Sequence, residues 1–164
     1  MNITLIGMPA SGKSTVGVLL AKRLGLSFID TDILIQEQEN RLLKEIIAQD
    51  GLDGFMRVEN QVNREVQAEN AVIAPGGSVV YGKEAMEHLK QISTVVYLKL
   101  EYKELEKRLG NLKDRGVVLK DGMTLKDLYE ERVPLYEQYA DIIVDESGKD
   151  AGALVDFLRE IFER

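Results

Sequence analysis

The octapeptide Gly7-Met8-Pro9-Ala10-Ser11-Gly12-Lys13-Ser14 fits the pattern of a glycine, four residues of any kind, then Gly-Lys-Ser. It lies between a short apolar run, Ile3, Leu5 and Ile6, and a helical repeat of Val16, Leu19, Leu20 and Leu24 that Gly25 closes. Strand, glycine loop and helix in that order aim backbone N–H groups and the positive end of a helix dipole at one point. An anion belongs there, and the spacing is that of the Walker A phosphate loop. By chance such a match arises in on the order of one chain in a hundred. Glycines let the backbone approach phosphate oxygens, the Lys13 ammonium reaches terminal phosphates, and the Ser14 hydroxyl is a magnesium ligand. The expected ligand is a nucleoside triphosphate with magnesium; the alternative is a glycine turn carrying a solvated lysine.

Composition narrows the remaining possibilities. The 164 residues include no cysteine and one histidine, which excludes disulfides, thiolate metal sites, cysteine nucleophiles and a multi-histidine metal site. A net charge of −7 argues against a broad basic surface for nucleic acid, although a local basic pocket fits inside an acidic protein. No apolar run approaches the roughly 20 residues that span a bilayer, and no basic region precedes a hydrophobic stretch at the amino end. The expectation is a cytoplasmic, monomeric protein without nucleic-acid or membrane partners.

Apolar β-type runs alternate with helical periodicities from end to end, which reads as a single domain over 1–164. Strands are expected at 3–6, 27–30, 71–74, 94–98 and 142–144. Apolar faces at Leu42, Leu43, Ile46 and Ile47, then at Phe55, Val58, Val62 and Val66, predict two helices separated near Gly51. Further helices are expected around 83–91, 101–112 and 124–140, the third opened by a Thr124/Asp127 capping box, and a last one after an Asp150 cap. His88 falls on the first of these, where a surface or packing role is expected. Short strands separated by helices predict an α/β fold with a mostly parallel five-stranded sheet covered on both faces.

In such a sheet, ligands gather outside the carboxyl ends of the strands. Asp30-Thr31-Asp32 and the Gly76-Gly77 turn should therefore face the same crevice as the phosphate loop. Asp30 is suited to hold the metal through its water shell, and Asp32 to orient and deprotonate an acceptor hydroxyl. Helix capping by Asp30 or Thr31 is the alternative use of that segment. Two nucleotide-protein classes do not fit. In Asn111-Leu112-Lys113-Asp114 the lysine is misplaced for reading guanine, and the strand at 71–74 runs into Pro75-Gly76-Gly77-Ser78 without the carboxylate of a mechanical ATPase.

Over nearly its whole length the chain resembles the shikimate kinase family. The likeness includes residues 7–15, Phe28-Ile29-Asp30-Thr31-Asp32, Gly54-Phe55 with Glu59, residues 73–77, and Arg132-Val133-Pro134-Leu135-Tyr136 followed by Ala140-Asp141. It implies a three-layer P-loop kinase fold with a mobile lid over about 112–123 and an acceptor-binding helical region over about 31–70. The activity implied is transfer of the γ-phosphate of ATP to the 3-hydroxyl of shikimate, with Mg2+. By position, Gly7, Pro9, Ala10, Ser11, Gly12, Lys13, Ser14 and Thr15 would hold ATP, and Arg108 would lie against the adenine. Asp30 would stand on the metal side, Asp32 at the acceptor hydroxyls, Gly76 and Gly77 in the substrate loop, and Arg132 at the acceptor carboxylate. Arg115 would be the lid arginine, a cation that closes over the transferring group and expels water. As ordinary surface groups, Arg115 would be solvated, Arg132 would pair with Glu130 or Glu131, and Arg108 with Glu104 four residues earlier.

The departures cluster on the acceptor side. The family's arginine after the phenylalanine, a second clamp on the carboxylate, is Met56 here, and Ser78 replaces the third glycine of the substrate loop. Pro75 replaces a threonine, and the lid Arg-Pro-Leu-Leu reads Arg115-Gly116-Val117-Val118. Arg57 is the nearest substitute clamp, yet adjacent helical residues point about 100° apart, so reaching the substrate requires a local shift. Losing one charge-assisted hydrogen bond weakens carboxylate binding roughly 10- to 150-fold unless another cation compensates. Phosphoryl transfer to shikimate is the leading expectation. A kinase for another hydroxy acid or polyol, of gluconate-kinase type, and a nucleotide-binding regulatory protein without an acceptor are the rivals.

Overall fold

A computed structural model describes residues 1–109, 120 and 122–163 of the chain. Its elements run β1 (Asn2–Ile6), α1 (Lys13–Leu24), β2 (Ser27–Asp30), α2 (Thr31–Glu39), α3 (Leu43–Arg64) and β3 (Ala71–Ala74). A 3-10 turn (Gly77–Tyr81) follows, then α4 (Lys83–Ile92), β4 (Thr94–Lys99), α5 (Tyr102–Leu109), α6 (Leu125–Tyr139), β5 (Ile142–Asp145) and α7 (Ala151–Phe162). The sheet has five strands in the order β2-β3-β1-β4-β5, and each pairing is parallel.

The strand sequences explain the layering. β3 is buried at every position and β4 at Val95, Val96, Tyr97 and Leu98, the continuous apolar character of strands covered on both faces. Alternate side chains then feed two separate cores. Val95 and Tyr97 join Ile6, Ile73, Leu105, Leu128 and Tyr136 on one face; Val96 and Leu98 join Ile3, Leu5, Val16, Leu20, Leu154 and Leu158 on the other. Asp150 caps α7 by accepting from the Ala153 N–H, and Thr124 and Asp127 form the expected reciprocal box at the start of α6. His88, half-buried, sits 2.6 Å from the Val66 carbonyl and ties α4 to the end of α3.

Two local features shape the region beside the sheet. α3 is two helical segments that meet at Gly51, as the sequence pattern expects, and the φ of 77° and ψ of 173° at that residue, far from helical values, are ones a glycine accommodates without strain. α2 has no clean apolar stripe, because Ile33, Leu34 and Ile35 are consecutive and Ile33 is exposed. Ile35 anchors it in a third small core with Ile46, Phe55 and Val62 of α3. Arg41 then binds Glu39 at 2.9 Å and Asp50 at 2.7 Å, drawing the end of α2 toward the kink. The lid expected over 112–123 lies mostly outside the described residues, as does Arg115. Among the described residues no helix is long and apolar enough to cross a membrane.

Candidate active site

The carboxyl ends of β1, β2 and β3 border a cavity of about 540 Å³ whose other walls come from α3 and α6. Its lining includes Pro9, Lys13 and Ser14 of the phosphate loop, Asp30, Asp32, Glu59, Gly76, Gly77 and Arg132. Residues far apart in sequence meet there because consecutive parallel strands deliver their following loops to one edge of the sheet.

At the loop end, the Lys13 ammonium is almost wholly buried and donates to the Gly7 and Met8 carbonyls at 2.9 Å each. Burial pushes its pKa down to about 8, against the opposing pull of Asp32. Gly12 occupies the N-cap of α1, and Ala10, at a φ of 64°, turns its carbonyl to Arg108 Nη1 at 3.0 Å. The Ser11 hydroxyl is buried with no hydrogen-bond partner among the described residues. Thr15 is exposed and does not border the cavity. Arg108 also meets Glu104 at 3.3 Å and the buried Glu146 at 3.7 Å, so the ordinary helix pair and the reach to the loop coexist. It borders a neighbouring cavity of about 390 Å³ with Gly148 and Lys149. Glu146 carried no signal in the sequence; burial pushes its pKa up to about 7, with Arg108 opposing.

Asp30 takes the capping use read for it and also lines the cavity. Its carboxylate accepts from the Asp32 N–H at 2.9 Å, capping α2, while the residue borders the cavity beside Ser14. Hydroxyl and carboxylate oxygens at one end of a cleft suit magnesium, which binds few protein oxygens and keeps water and phosphate oxygens as its other ligands. Among the described residues no group of three or more His, Asp, Glu or Cys side chains converges, and a magnesium site of that kind requires none.

The acceptor end concentrates charge in a drier setting. Burial first, and Asp30 second, push the Asp32 pKa up to about 6, while Lys13 opposes them. The glycine turn makes room for this cluster. A Cβ on Gly76 would stand 3.0 Å from Asp32 Oδ1 and 3.3 Å from Glu59 Oε2, and one on Gly77 would stand 2.9 Å from Arg132 Nη1. The Tyr136 hydroxyl fixes the turn by donating to the Gly77 carbonyl at 2.7 Å. Arg132 is 1% exposed, its Nε donates to the Tyr81 hydroxyl at 3.3 Å, and Tyr81 in turn donates to Glu131. The surface pair considered for Arg132 with Glu130 or Glu131 is therefore replaced by burial against Gly77 and Tyr81.

Arg57 is not where a substitute clamp would need to be. Phe55 and Glu59, four residues apart, present one face of α3 to the cavity, and Arg57 falls on another, bordering an adjoining space of about 350 Å³ that shares Glu59 and Ser78 with the cavity. Glu59, 2% exposed, has the Ser78 hydroxyl 2.7 and 2.8 Å from its two oxygens, a proton shared between them. Its pKa is pushed up to about 7 by burial, with the Ser78 hydrogen bond opposing. Glu59 is a functional candidate that charge patterning hides, since an isolated glutamate on a helix reads as solvated; its spacing from Phe55 on the apolar face was the available signal.

The family model for shikimate kinase matches residues 9–163. The chain is 41% identical over 155 residues to a shikimate kinase of Clostridium botulinum, covering 92% of this chain and 91% of that one. With a shikimate kinase of Moorella thermoacetica it is 39% identical over 162 residues, covering 97% and 92%. The structure of the Acinetobacter baumannii shikimate kinase in complex with shikimate superposes with a TM-score of 0.88 at 30% identity, over 99% of this chain and 92% of that one. Sequence, topology and the convergence of the phosphate loop with the Asp30–Asp32 segment agree, and this chain belongs to the shikimate kinase family of ATP- and magnesium-dependent kinases.

Proposed function

We propose that this chain transfers the γ-phosphoryl group of ATP to the 3-hydroxyl of shikimate. The observation that carries this reading is one cavity holding Lys13, Ser14 and Asp30 at one end and Asp32, Glu59 and Arg132 at the other. In-line transfer needs that adjacency, because most of the barrier is lowered by holding the reactants together and neutralising charge.

In this mechanism Lys13 leaves its loop carbonyls for the β- and γ-phosphate oxygens. Ser14 and Asp30 would hold Mg2+, which would supply further neutralisation of the polyphosphate when bound. Asp32 accepts the proton of the acceptor hydroxyl as its oxygen bonds to the γ-phosphorus and the bond to ADP breaks. A pKa of about 6 keeps Asp32 mostly ionised at neutral pH yet basic enough to take that proton. Arg132 binds the acceptor carboxylate, Gly76 and Gly77 let the ligand approach the backbone, and Arg108 lies along the nucleotide beside Ala10. Arg115, the lid cation that the family resemblance implies, lies outside the described residues. In this reading the catalytic unit is a single domain acting as a monomer.

The deciding experiment measures ADP release by purified protein with shikimate and with a panel of hydroxy acids, sugars and polyols including gluconate, and locates the new phosphate ester by phosphorus NMR. Turnover of shikimate at the 3-hydroxyl is expected. Turnover restricted to another compound overturns the acceptor assignment, and tight ATP binding with no turnover points to a regulatory nucleotide-binding role.

A further inference from the structure

The cavity is bordered by three cations, Lys13, Lys44 and Arg132, and three carboxyl groups, Asp30, Asp32 and Glu59. Two of the cations have evident places. Lys13 is bound within the phosphate loop, and Arg132 is buried beside Gly77. Lys44 has no ion pair or hydrogen bond from its ammonium to any described residue, and its side chain is solvent-exposed at the cavity border.

Its surroundings give that charge a direction of use. The α3 wall of the cavity consists of Leu43, Lys44, Ile47, Leu52, Phe55 and Glu59, so Lys44 is the one cation on an otherwise apolar stretch leading up to Glu59. Lys44 is also the second residue of α3, where the helix dipole disfavours a cation; Glu45, the acid of that first turn, is its neighbour in the chain but makes no ion pair with it. An anion entering the cavity relieves both. Arg57, the other cation near this part of α3, does not line this cavity but an adjoining space on the far side of Glu59 and Ser78. Without Lys44, an acceptor carrying a carboxylate would meet three carboxyl groups and two cations, one of which the polyphosphate occupies.

We infer that Lys44 is a specificity-determining residue, a second cation that works alongside Arg132 to bind the carboxylate of the acceptor. The assignment rests on the proposed activity and extends it to a residue outside the phosphate loop and the buried cluster. The flexible four-carbon stem of lysine suits it to follow a ligand from an exposed position, whereas the buried guanidinium of Arg132 is fixed.

The test compares wild type, Lys44→Met and Lys44→Arg on shikimate and on its methyl ester, which keeps the hydroxyls and removes the negative charge. Lys44→Met should raise the KM for shikimate about tenfold, the lower end of what a charge-assisted hydrogen bond supplies, and leave the KM for ATP unmoved. Lys44→Arg should recover most of the loss. On the methyl ester, wild type and Lys44→Met should have the same KM. An unmoved KM for shikimate, or an equal rise on acid and ester, overturns the role of Lys44 while wild-type turnover of shikimate leaves the activity standing. Absence of wild-type turnover with shikimate overturns the proposed activity and this inference with it.

Discussion

The two ends of the cavity are built in different ways. The nucleotide end is built around one contiguous stretch, joined by Asp30 and Arg108, in which backbone geometry and the start of α1 do most of the work and Lys13 adds a single mobile charge. The acceptor end is assembled from α2, α3, the turn after β3 and α6, and buries Glu59, Ser78 and Arg132 among groups that each need a partner. A site made of backbone tolerates change in the surrounding side chains. A site made of converging buried charges is sensitive to each of them, and this is the end where Met56 and Ser78 depart from the family pattern.

The largest effect should come from the residue at the junction. Asp32→Asn removes the base and should lower kcat about 10²- to 10⁴-fold. ATP affinity measured by calorimetry should be retained, because the phosphate loop's backbone and the hydrogen bonds of Lys13 to Gly7 and Met8 do not involve that side chain. If turnover persists, the acceptor end does not activate the hydroxyl and the division between the two ends fails. In the wild type, kcat/KM reports the free enzyme. It should fall below pH 6 as Asp32 takes up a proton and above pH 8 as Lys13 loses one. Asp32→Asn should abolish the acid limb that Asp32 contributes.

Arg132→Met keeps the length of a buried side chain and removes its charge. The KM for shikimate should rise roughly 10- to 150-fold, with the KM for ATP little changed. A matched rise in both would mean that Arg132 supports the whole cavity rather than its acceptor end, and a thermal melt separates that outcome from misfolding.

The same contrast explains what the sequence disclosed. The five strands, the phosphate loop, the Asp150 cap and the Thr124/Asp127 box depend on local runs and spacings, and each stands where the pattern put it. The break at Gly51 was readable and stands where the pattern put it, but how the two flanking segments are held is decided by packing against Ile35 and by the Arg41 bridge to Asp50. Lys44 and Glu146 were invisible as site residues, and Glu59 was marked only by the family likeness, because a charged side chain on a helix or loop is solvated unless distant segments enclose it. The enclosing residues for Glu59 are Ser78 and Asp32, 19 and 27 positions away. Arg57 misled for the converse reason: it is close in sequence to the family's clamp but lies on the wrong side of the helix.

The smallest expected effect tests whether the acceptor end is dry. Burial raises the Glu59 pKa from 4.5 to about 7, so between those values the folded protein holds a proton that the unfolded chain releases. Stability attributable to this group therefore falls as pH climbs from 4.5 to about 7, and the loss is complete above that. Glu59→Gln keeps the shape and can still accept the Ser78 hydrogen bond, but carries no charge to bury. Its melting temperature relative to wild type should rise by several degrees between about pH 5 and pH 8. A difference that stays constant over that range would mean Glu59 ionises as a hydrated carboxylate. Water would then reach the acceptor end as freely as the nucleotide end, and the contrast drawn between them would rest on topology alone.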